Sequence, residues 1–148
     1  MRKTVLITGS SHGIGRALAI AFARQGYDVG VNGNKNVAMA QEVAEEVRAC
    51  GARAEVYACD VADSAAVEEM MNAFIRDFGH IDVLINNAGG ALKMPEGGFE
   101  KMPVEYWDYQ VRLNLSQAAY TSRIAMKNMI ENNIRGKIIN ISSVHSIV

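Results

Sequence analysis

Residues 8–15 read Thr-Gly-Ser-Ser-His-Gly-Ile-Gly and come directly after the apolar run Val5-Leu6-Ile7. Glycine is the usual residue where a chain turns tightly or lies close to another group. Gly9, Gly13 and Gly15 fall within this one short stretch. An apolar run, a glycine-rich turn and then a helical pattern predict the first strand, loop and helix of an α/β unit.

The same unit recurs along the chain. The predicted strands are 4–8, 28–32, 54–59, 82–86 and 137–142. Several of these runs are almost continuously apolar, which is typical of strands buried on both faces of a parallel sheet. The segments between them have helical periodicity. Each predicted helix is followed by a glycine that can adopt the left-handed conformation closing a helix: Gly26, Gly51, Gly79 and Gly136.

Alternating strands and helices predict right-handed crossovers with helices on both faces of the sheet. We therefore expect an α/β fold, a three-layer, doubly wound, Rossmann-like parallel sheet with strand order 3-2-1-4-5 that stops after its fifth strand. The longest predicted helix covers 114–132. Its periodicity predicts an inward face made of Leu115, Ala118, Ala119, Met126, Met129 and Ile130.

Composition excludes several classes of function. The net charge of −1 gives no basic surface for nucleic acid or anionic lipid, and no apolar run reaches the roughly 18 residues of a membrane span. Cys50 and Cys59 make no disulfide framework, which favours a reducing, cytoplasmic setting. His12, His80 and His145 lack the spacing of metal ligands, so we expect no metal site.

The glycine loop has a chemical use at this position. The N–H groups at a helix N-terminus carry partial positive charge and bind anions. Gly9 permits the tight turn, while Gly13 and Gly15 permit a phosphate and the helix to come close. We therefore expect bare main-chain amides over 9–15 to hold a diphosphate, with Ser11, His12 and Ile14 beside it, in one dinucleotide-binding domain, 1–148. The alternative is a flexible turn in a purely structural unit.

The order G-x-x-x-G-x-G in residues 9–15 resembles the TGxxxGIG signature of the short-chain dehydrogenase/reductase family. Further matches follow in the right order. Asp60-Val61 resembles the segment that holds adenine, and Asn86-Asn87-Ala88-Gly89 resembles the family's NNAG, which supports the sheet and borders the ribose. Asn114 and Ser142-Ser143-Val144 match two active-site segments. The nearest subgroups are 3-oxoacyl-carrier-protein-reductase-like and sugar- or alcohol-dehydrogenase-like.

The resemblance implies hydride transfer between a nicotinamide cofactor and a small carbonyl or alcohol substrate. It implies that Ser143 hydrogen-bonds the substrate oxygen and that Asn114 holds a water of the proton relay. The alternatives are an ordinary strand-end hydroxyl for Ser143 and a helix cap for Asn114. Assembly into dimers or tetramers through the helix 114–132 is also implied by the resemblance.

The family's proton donor is a tyrosine with a lysine four residues later. The five tyrosines of this chain are followed at that spacing by Val31, Val61, Gln110, Leu113 and Ile124. The family motif would fall beyond Val148, so we expect the 148-residue chain to be weakly active or inactive. The alternative function is a non-catalytic dinucleotide-binding module.

The end of the second strand bears on the choice of nicotinamide cofactor. A bare ribose is usually held by a carboxylate there, roughly 20 residues beyond the glycines. The sequence has Asn34 and Lys35 instead, and Asp28 lies at the start of the strand. A carboxylate would repel a 2′-phosphate, whereas Lys35 could contact one. We therefore expect NADP to be preferred, with NAD possible; the alternative for Lys35 is a solvated loop charge.

Overall fold

A computed structural model describes residues 2–90 and 97–143 of the chain. The strands are β1 (Thr4–Ile7), β2 (Asp28–Gly33), β3 (Ala54–Ala58), β4 (Val83–Asn86) and β5 (Lys137–Asn140). The helices are α1 (Gly13–Arg24), α2 (Val37–Ala49), α3 (Ser64–Phe78), α4 (Val104–Val111) and α5 (Gln117–Glu131). A short 3₁₀ turn, Phe99–Lys101, precedes α4, and a π-helical turn, Arg112–Ser116, joins α4 to α5.

The strands form one parallel sheet in the order β3-β2-β1-β4-β5, which confirms the predicted order. Ile7 of β1 lies opposite Val31 of β2 and Ile85 of β4. Asn86 lies opposite Asn140 at the β4–β5 pair. Since every strand runs in the same direction, all carboxyl ends meet at one edge of the sheet, where ligands bind in open α/β sheets.

Helices cover both faces of the sheet. Val5 and Ile7 of β1 pack towards α1 and α2, while Leu6 packs towards α3 and α5. Each fully buried side chain of this size contributes about 1.5–3 kcal/mol relative to an exposed one. Gly30 is required under α3, because a Cβ there would lie 2.6 Å from the ring of Phe74. The three-layer architecture is confirmed.

The helix ends agree with prediction except at one position. Gly26, Gly51 and Gly79 have φ angles of 83°, 81° and 85°. Gly136 does not adopt this conformation, and Asn133 takes the positive φ after α5 instead. Gly136 serves close packing, because a Cβ there would lie 2.6 Å from Met129 Sδ and 2.8 Å from the carbonyl oxygen of Asp82.

The predicted inward face of the long helix is wrong at four positions, one of which is Ala119, whose side chain is exposed. Leu115, Met126 and Ile130 are 70%, 51% and 72% exposed. The residues that α5 buries are Gln117, Thr121, Ala125, Asn128 and Met129. The polar members of this set hydrogen-bond to β4 and its flanking loops, so hydrogen bonding decides which side of the helix faces the sheet.

Two further features frame the site. The sequence pattern did not predict α4, which begins after Pro103 and buries none of its residues. Among the described strands, β5 lies at the edge of the sheet, with Ile139 40% exposed. No helix within the described ranges is both long and apolar enough to cross a lipid bilayer.

Candidate functional site

A cleft of about 580 Å³ opens at the carboxyl edge of the sheet, beside the β1–α1 loop. The predicted cofactor residues that line it are Gly9, Ser11, His12, Gly13, Ile14, Asn34, Lys35, Asp60, Val61, Asn87, Ala88 and Gly89. Gly15 does not line it. The lining residues that sequence reasoning missed are Asn32, Gly33, Asn36, Met39, Cys59, Tyr109 and Leu113.

Asn32 holds the floor of the cleft. Its side chain is buried, and Oδ1 accepts a hydrogen bond from the Gly9 N–H at 2.9 Å. Nδ2 donates to the carbonyl oxygens of Tyr57 and Cys59 at 3.0 and 3.2 Å. One amide side chain thus joins the ends of β1, β2 and β3. A polar residue at the end of an otherwise apolar strand was the available signal.

This geometry corrects the expectation of bare amides over 9–15. The Gly9 N–H donates to the Asn32 side chain, and the Ser10 N–H donates to the Asn32 carbonyl oxygen at 2.9 Å. Within the described ranges, the Gly13 and Ile14 amides have no hydrogen-bond acceptor. They are the first amides of α1, where a helix leaves its N–H groups unpaired.

Thr8 and Asn87 fix the opposite wall. The Thr8 hydroxyl oxygen accepts hydrogen bonds from the amides of Asn87 and Ala88, each at 3.0 Å. Asn87 Nδ2 donates to the carbonyl oxygens of Thr8 and Gly9 at 3.0 and 3.1 Å. The segment that resembles NNAG is therefore tied to the glycine loop by these four hydrogen bonds.

The three glycines of the loop have different surroundings. A Cβ at Gly15 would lie 2.5 Å from the Gly9 carbonyl oxygen and 2.7 Å from Asn87 Nδ2, so Gly15 lets α1 pack against the loop. A Cβ at Gly9, where φ is 62°, would lie 2.8 Å from Ala88 Cα. A Cβ at Gly13, where φ is 56°, would meet nothing within 4 Å. Gly13 thus leaves open space at the helix N-terminus.

That open space fits a diphosphate. The Gly13 and Ile14 amides carry the partial positive charge of the α1 N-terminus, and a Cβ at Gly13 would project into open space. His12 precedes the helix without capping it, and its Nδ1 lies 3.1 Å from the Ser11 hydroxyl oxygen. Ile14 is 63% exposed, on the outer side of the first turn. These residues suit the diphosphate of a dinucleotide.

The end of β2 forms a second part of the cleft. Asn34 and Lys35 are exposed and line the cleft just after Gly33. Asp28 lies at the other end of β2, where it accepts a hydrogen bond from the Arg53 amide at 2.9 Å. Among the described residues that line the cleft, Lys35 is the side chain with a permanent positive charge.

Asp60 and Val61 follow β3 at a third part of the cleft, and Val61 is buried. Asp60 Oδ1 accepts from the Ala62 amide at 3.0 Å, and Oδ2 accepts from the Tyr109 hydroxyl at 3.1 Å. Burial, and then the Asp60 charge, raise the pKa of Tyr109 above its ordinary value. The phenol is therefore a hydrogen-bond donor at neutral pH.

Asn114 lies in the π-helical turn inside a continuous helical segment, so the helix-cap alternative is wrong. Its Nδ2 donates to the carbonyl oxygens of Gly90 and Gln110 at 3.1 and 3.0 Å, and its Oδ1 accepts from the Gly90 amide at 2.8 Å. Single π-helical turns inside α-helices occur frequently at functional sites. Asn114 is exposed beside the loop that follows β4.

Ser143 is exposed and follows β5 at the same edge of the sheet. The chain stays aligned with β4 beyond the strand, because the Ile141 amide donates to the Asn86 carbonyl oxygen at 2.9 Å. Val144 and His145 lie outside the described residues. The fold therefore brings Ser143 and Asn114 to the edge that also carries the glycine loop.

The remaining candidates are structural. His80 Nε2 lies 2.9 Å from Asp82 Oδ2 at the amino end of β4, away from the cleft. Cys59 lines the cleft as a thiol, because burial raises its pKa to about 12. Within residues 2–90 and 97–143, no three His, Cys, Asp or Glu side chains are grouped to hold a metal ion.

Comparisons with known proteins agree with this geometry. The sequence model of the family described as "short chain dehydrogenase" matches residues 3–148. D-beta-hydroxybutyrate dehydrogenase of Cupriavidus necator is 37% identical over 147 residues, which are 99% of this chain and 55% of that protein. Glucose 1-dehydrogenase 2 of Bacillus subtilis is 33% identical, over 97% of this chain and 55% of that protein.

Solved structures give the same result. Acetoin dehydrogenase from Enterobacter cloacae superposes with a TM-score of 0.90 at 35% identity, over 98% of this chain and 56% of that one. A metagenomic short-chain oxidoreductase in complex with NADP has a TM-score of 0.87 at 32% identity, over 96% and 62% of the two chains. The chain spans about half the length of the curated relatives it matches.

Proposed function

From the premise that this chain belongs to the short-chain dehydrogenase family, we propose that it binds a nicotinamide dinucleotide for hydride transfer with a small carbonyl or alcohol substrate. The observation that carries the proposal is the open space at Gly13 beside the unpaired first amides of α1. A diphosphate fits there because bare amides bind anions at a helix N-terminus. When bound, the reduced nicotinamide would donate the hydride to a carbonyl, and the oxidised form would accept it from an alcohol.

Each predicted cofactor residue has a part in this proposal. Gly13, Ile14 and the Ser11–His12 pair hold the diphosphate, while Gly9 and Gly15 let the loop and α1 lie close together. Asp60 and Val61 hold the adenine. Asn87, Ala88 and Gly89 border the ribose. Hydrogen bonds from Asn87 and Ala88 hold this segment next to the glycine loop.

We propose that the cofactor is NADP in preference to NAD. Lys35 and Asn34 follow β2 at the cleft, where a 2′-phosphate would meet a positive charge and an amide. Asp28, the acidic residue of β2, lies at the far end of the strand and does not line the cleft. The metagenomic relative in complex with NADP supports the proposal at the level of the family.

Ser143 and Asn114 are proposed to serve the reacting end: Ser143 as a hydrogen-bond donor to the substrate oxygen and Asn114 as the holder of a water. The printed sequence has no tyrosine with a lysine four residues later. The second candidate is a dinucleotide-binding module without catalysis, which would bind the nucleotide through the same open helix N-terminus. We expect the 148-residue polypeptide to oxidise NADPH slowly or not at all, and rates equal to those of a chain with the motif would contradict this.

A titration with NADPH tests the proposal. Gly13→Ala should weaken binding at least about tenfold, equal to about 1.4 kcal/mol, because the new Cβ takes the space of the diphosphate. Gly26→Ala is the matched control, since Gly26 also has a positive φ and open space, but lies at the other end of α1. Calorimetry on both variants should separate them. Equal losses, or no binding by the native chain, would contradict the proposal.

The cofactor preference has its own comparison. Lys35→Ala should weaken NADPH about tenfold and leave NADH nearly unchanged, because a charge-assisted hydrogen bond contributes about 1.5–3 kcal/mol. Lys127→Ala is the control, since Lys127 lies on α5 beside Glu131. A Lys35 variant that loses the two nucleotides equally would contradict the preference.

The outward face of α5 supports self-association. Met126 and Ile130 are more than half exposed there, as is Leu115 in the preceding π-helical turn, and a shallow groove of about 600 Å³ runs along the helix. We propose that a second copy covers this face, giving a dimer or tetramer. Sedimentation should show a smaller species for Met126→Glu. The free thiols Cys50 and Cys59 suit the proposed cytoplasmic setting.

A further inference from the structure

Two side chains from separate elements meet at the Asp60 part of the cleft. Tyr109, on α4, donates its hydroxyl to Asp60, which follows β3, at 3.1 Å to Oδ2 and 3.4 Å to Oδ1. From the other side, the Ala62 amide donates to Oδ1 at 3.0 Å. The carboxylate is thus held between its own backbone turn and a helix that lies 49 residues further along the chain.

Tyr109 also lines the cleft itself. Leu113, one helical turn later, lines the same cleft, so α4 and the π-helical turn present one wall to it. The charged side chains around the phenol include Asp60, to which it donates, and Arg112 in the π-helical turn, while Asp63 lines the same small cavity. Since burial and Asp60 raise the pKa of Tyr109, the hydroxyl keeps its proton throughout the neutral range.

We propose that Tyr109 is a positioning residue for the adenine end of the nucleotide, acting through Asp60. Its hydroxyl fixes the orientation of the Asp60 carboxylate, which accepts a hydrogen bond from the exocyclic amino group of adenine. A carboxylate recognises an amino donor and repels the carbonyl oxygen that hypoxanthine has at the same position. The inference rests on the proposed function and adds a residue that selects the base.

The test measures the dissociation constants of NADPH and of its hypoxanthine analogue with the purified 148-residue chain. The native chain should prefer NADPH. Tyr109→Phe keeps the ring and removes the hydroxyl, so it should weaken NADPH about threefold to tenfold and leave the hypoxanthine analogue unchanged. The ratio of the two constants is the readout, because general damage to the fold would weaken both nucleotides together.

Two further variants sharpen the result. Tyr27→Phe is the matched control, because the Tyr27 ring packs edge-on against Phe22 and lines no part of the cleft. It should leave both constants unchanged. Asp60→Ala should remove the preference for adenine, and adding Tyr109→Phe to it should then have no further effect.

The outcomes distinguish the role of Tyr109 from the proposed function. Nucleotide binding with the same ratio in Tyr109→Phe and native chain would overturn the role of Tyr109 and leave the proposed function standing. Tighter NADPH binding by Tyr109→Phe would also overturn it, because the hydroxyl would then compete with adenine. Failure of the native chain to bind either nucleotide would overturn the proposed function itself.

Discussion

The two ends of the cleft are built differently. At the glycine loop, the side chains that hold the shape are buried: Thr8 and Ser10 are 0% exposed and Asn32 is 2% exposed. At the end that carries Asn114 and Ser143, both side chains are exposed. The proposed nucleotide end is therefore part of the folded core, whereas the proposed reacting end lies on its surface. Substitutions should therefore lower the free energy of unfolding strongly at the glycine loop and much less at the end that carries Asn114 and Ser143.

The largest expected effect comes from Asn32→Ala. It leaves the Gly9 amide and the carbonyl oxygens of Tyr57 and Cys59 without their partner, at about 1–3 kcal/mol for each buried group. We expect the free energy of unfolding to fall by about 3–5 kcal/mol, measured by urea denaturation. Asn34→Ala, two residues later and exposed, is the control and should stay within about 0.5 kcal/mol. Similar losses of unfolding free energy in both variants would contradict a structural role for the buried Asn32 side chain.

The next largest loss of stability is expected for Gly15→Ala. The new Cβ would press on the backbone of Gly9 and Ser10, which cannot rotate away, so the helix must shift from the loop. Overpacking of this kind costs about 1–3 kcal/mol, and we expect the upper part of that range. Gly13→Ala meets no neighbour and should cost about 1 kcal/mol through its positive φ alone. Thermal unfolding of the two variants measures the difference, and a larger loss at Gly13 would contradict it.

The same contrast explains what could be predicted from the sequence. The glycine loop, the sheet order and the strand positions follow from local patterns, since each predicted strand differs from the observed one by at most two residues. Local patterns mark Asn32 only as a polar residue at a strand end, and they do not mark Tyr109 at all. Their partners lie far away in the chain, at Gly9 and Asp60, and no spacing rule connects residues that only the fold brings together.

The long helix shows a second limit. Periodicity assigns its apolar residues to the core, yet Thr121 and Gln117 face the sheet, where they bond to Asn86 and to the Ala88 carbonyl oxygen. A buried strand end that carries Asn86 needs polar partners. Hydrophobic periodicity carries no information about these polar partners. The side that carries Leu115, Met126 and Ile130 then points outward, so the surface proposed for self-association consists of residues that periodicity assigns to the core.

The smallest expected effect is that of Asn114→Ala at the reacting end. Its hydrogen bonds to Gly90 and Gln110 lie at the surface, where water can replace the lost partner. We expect the free energy of unfolding to change by less than about 1 kcal/mol and the affinity for NADPH to stay the same. Thr121 lies on α5 and is fully buried. Thr121→Ala should lower the free energy of unfolding by about 1–3 kcal/mol, because it leaves Asn86 Oδ1 without its donor. Urea denaturation of both variants ranks them directly. If Asn114→Ala proved the more costly, the π-helical turn would be part of the folded core, and the division between a buried nucleotide end and a surface reacting end would fail at that turn.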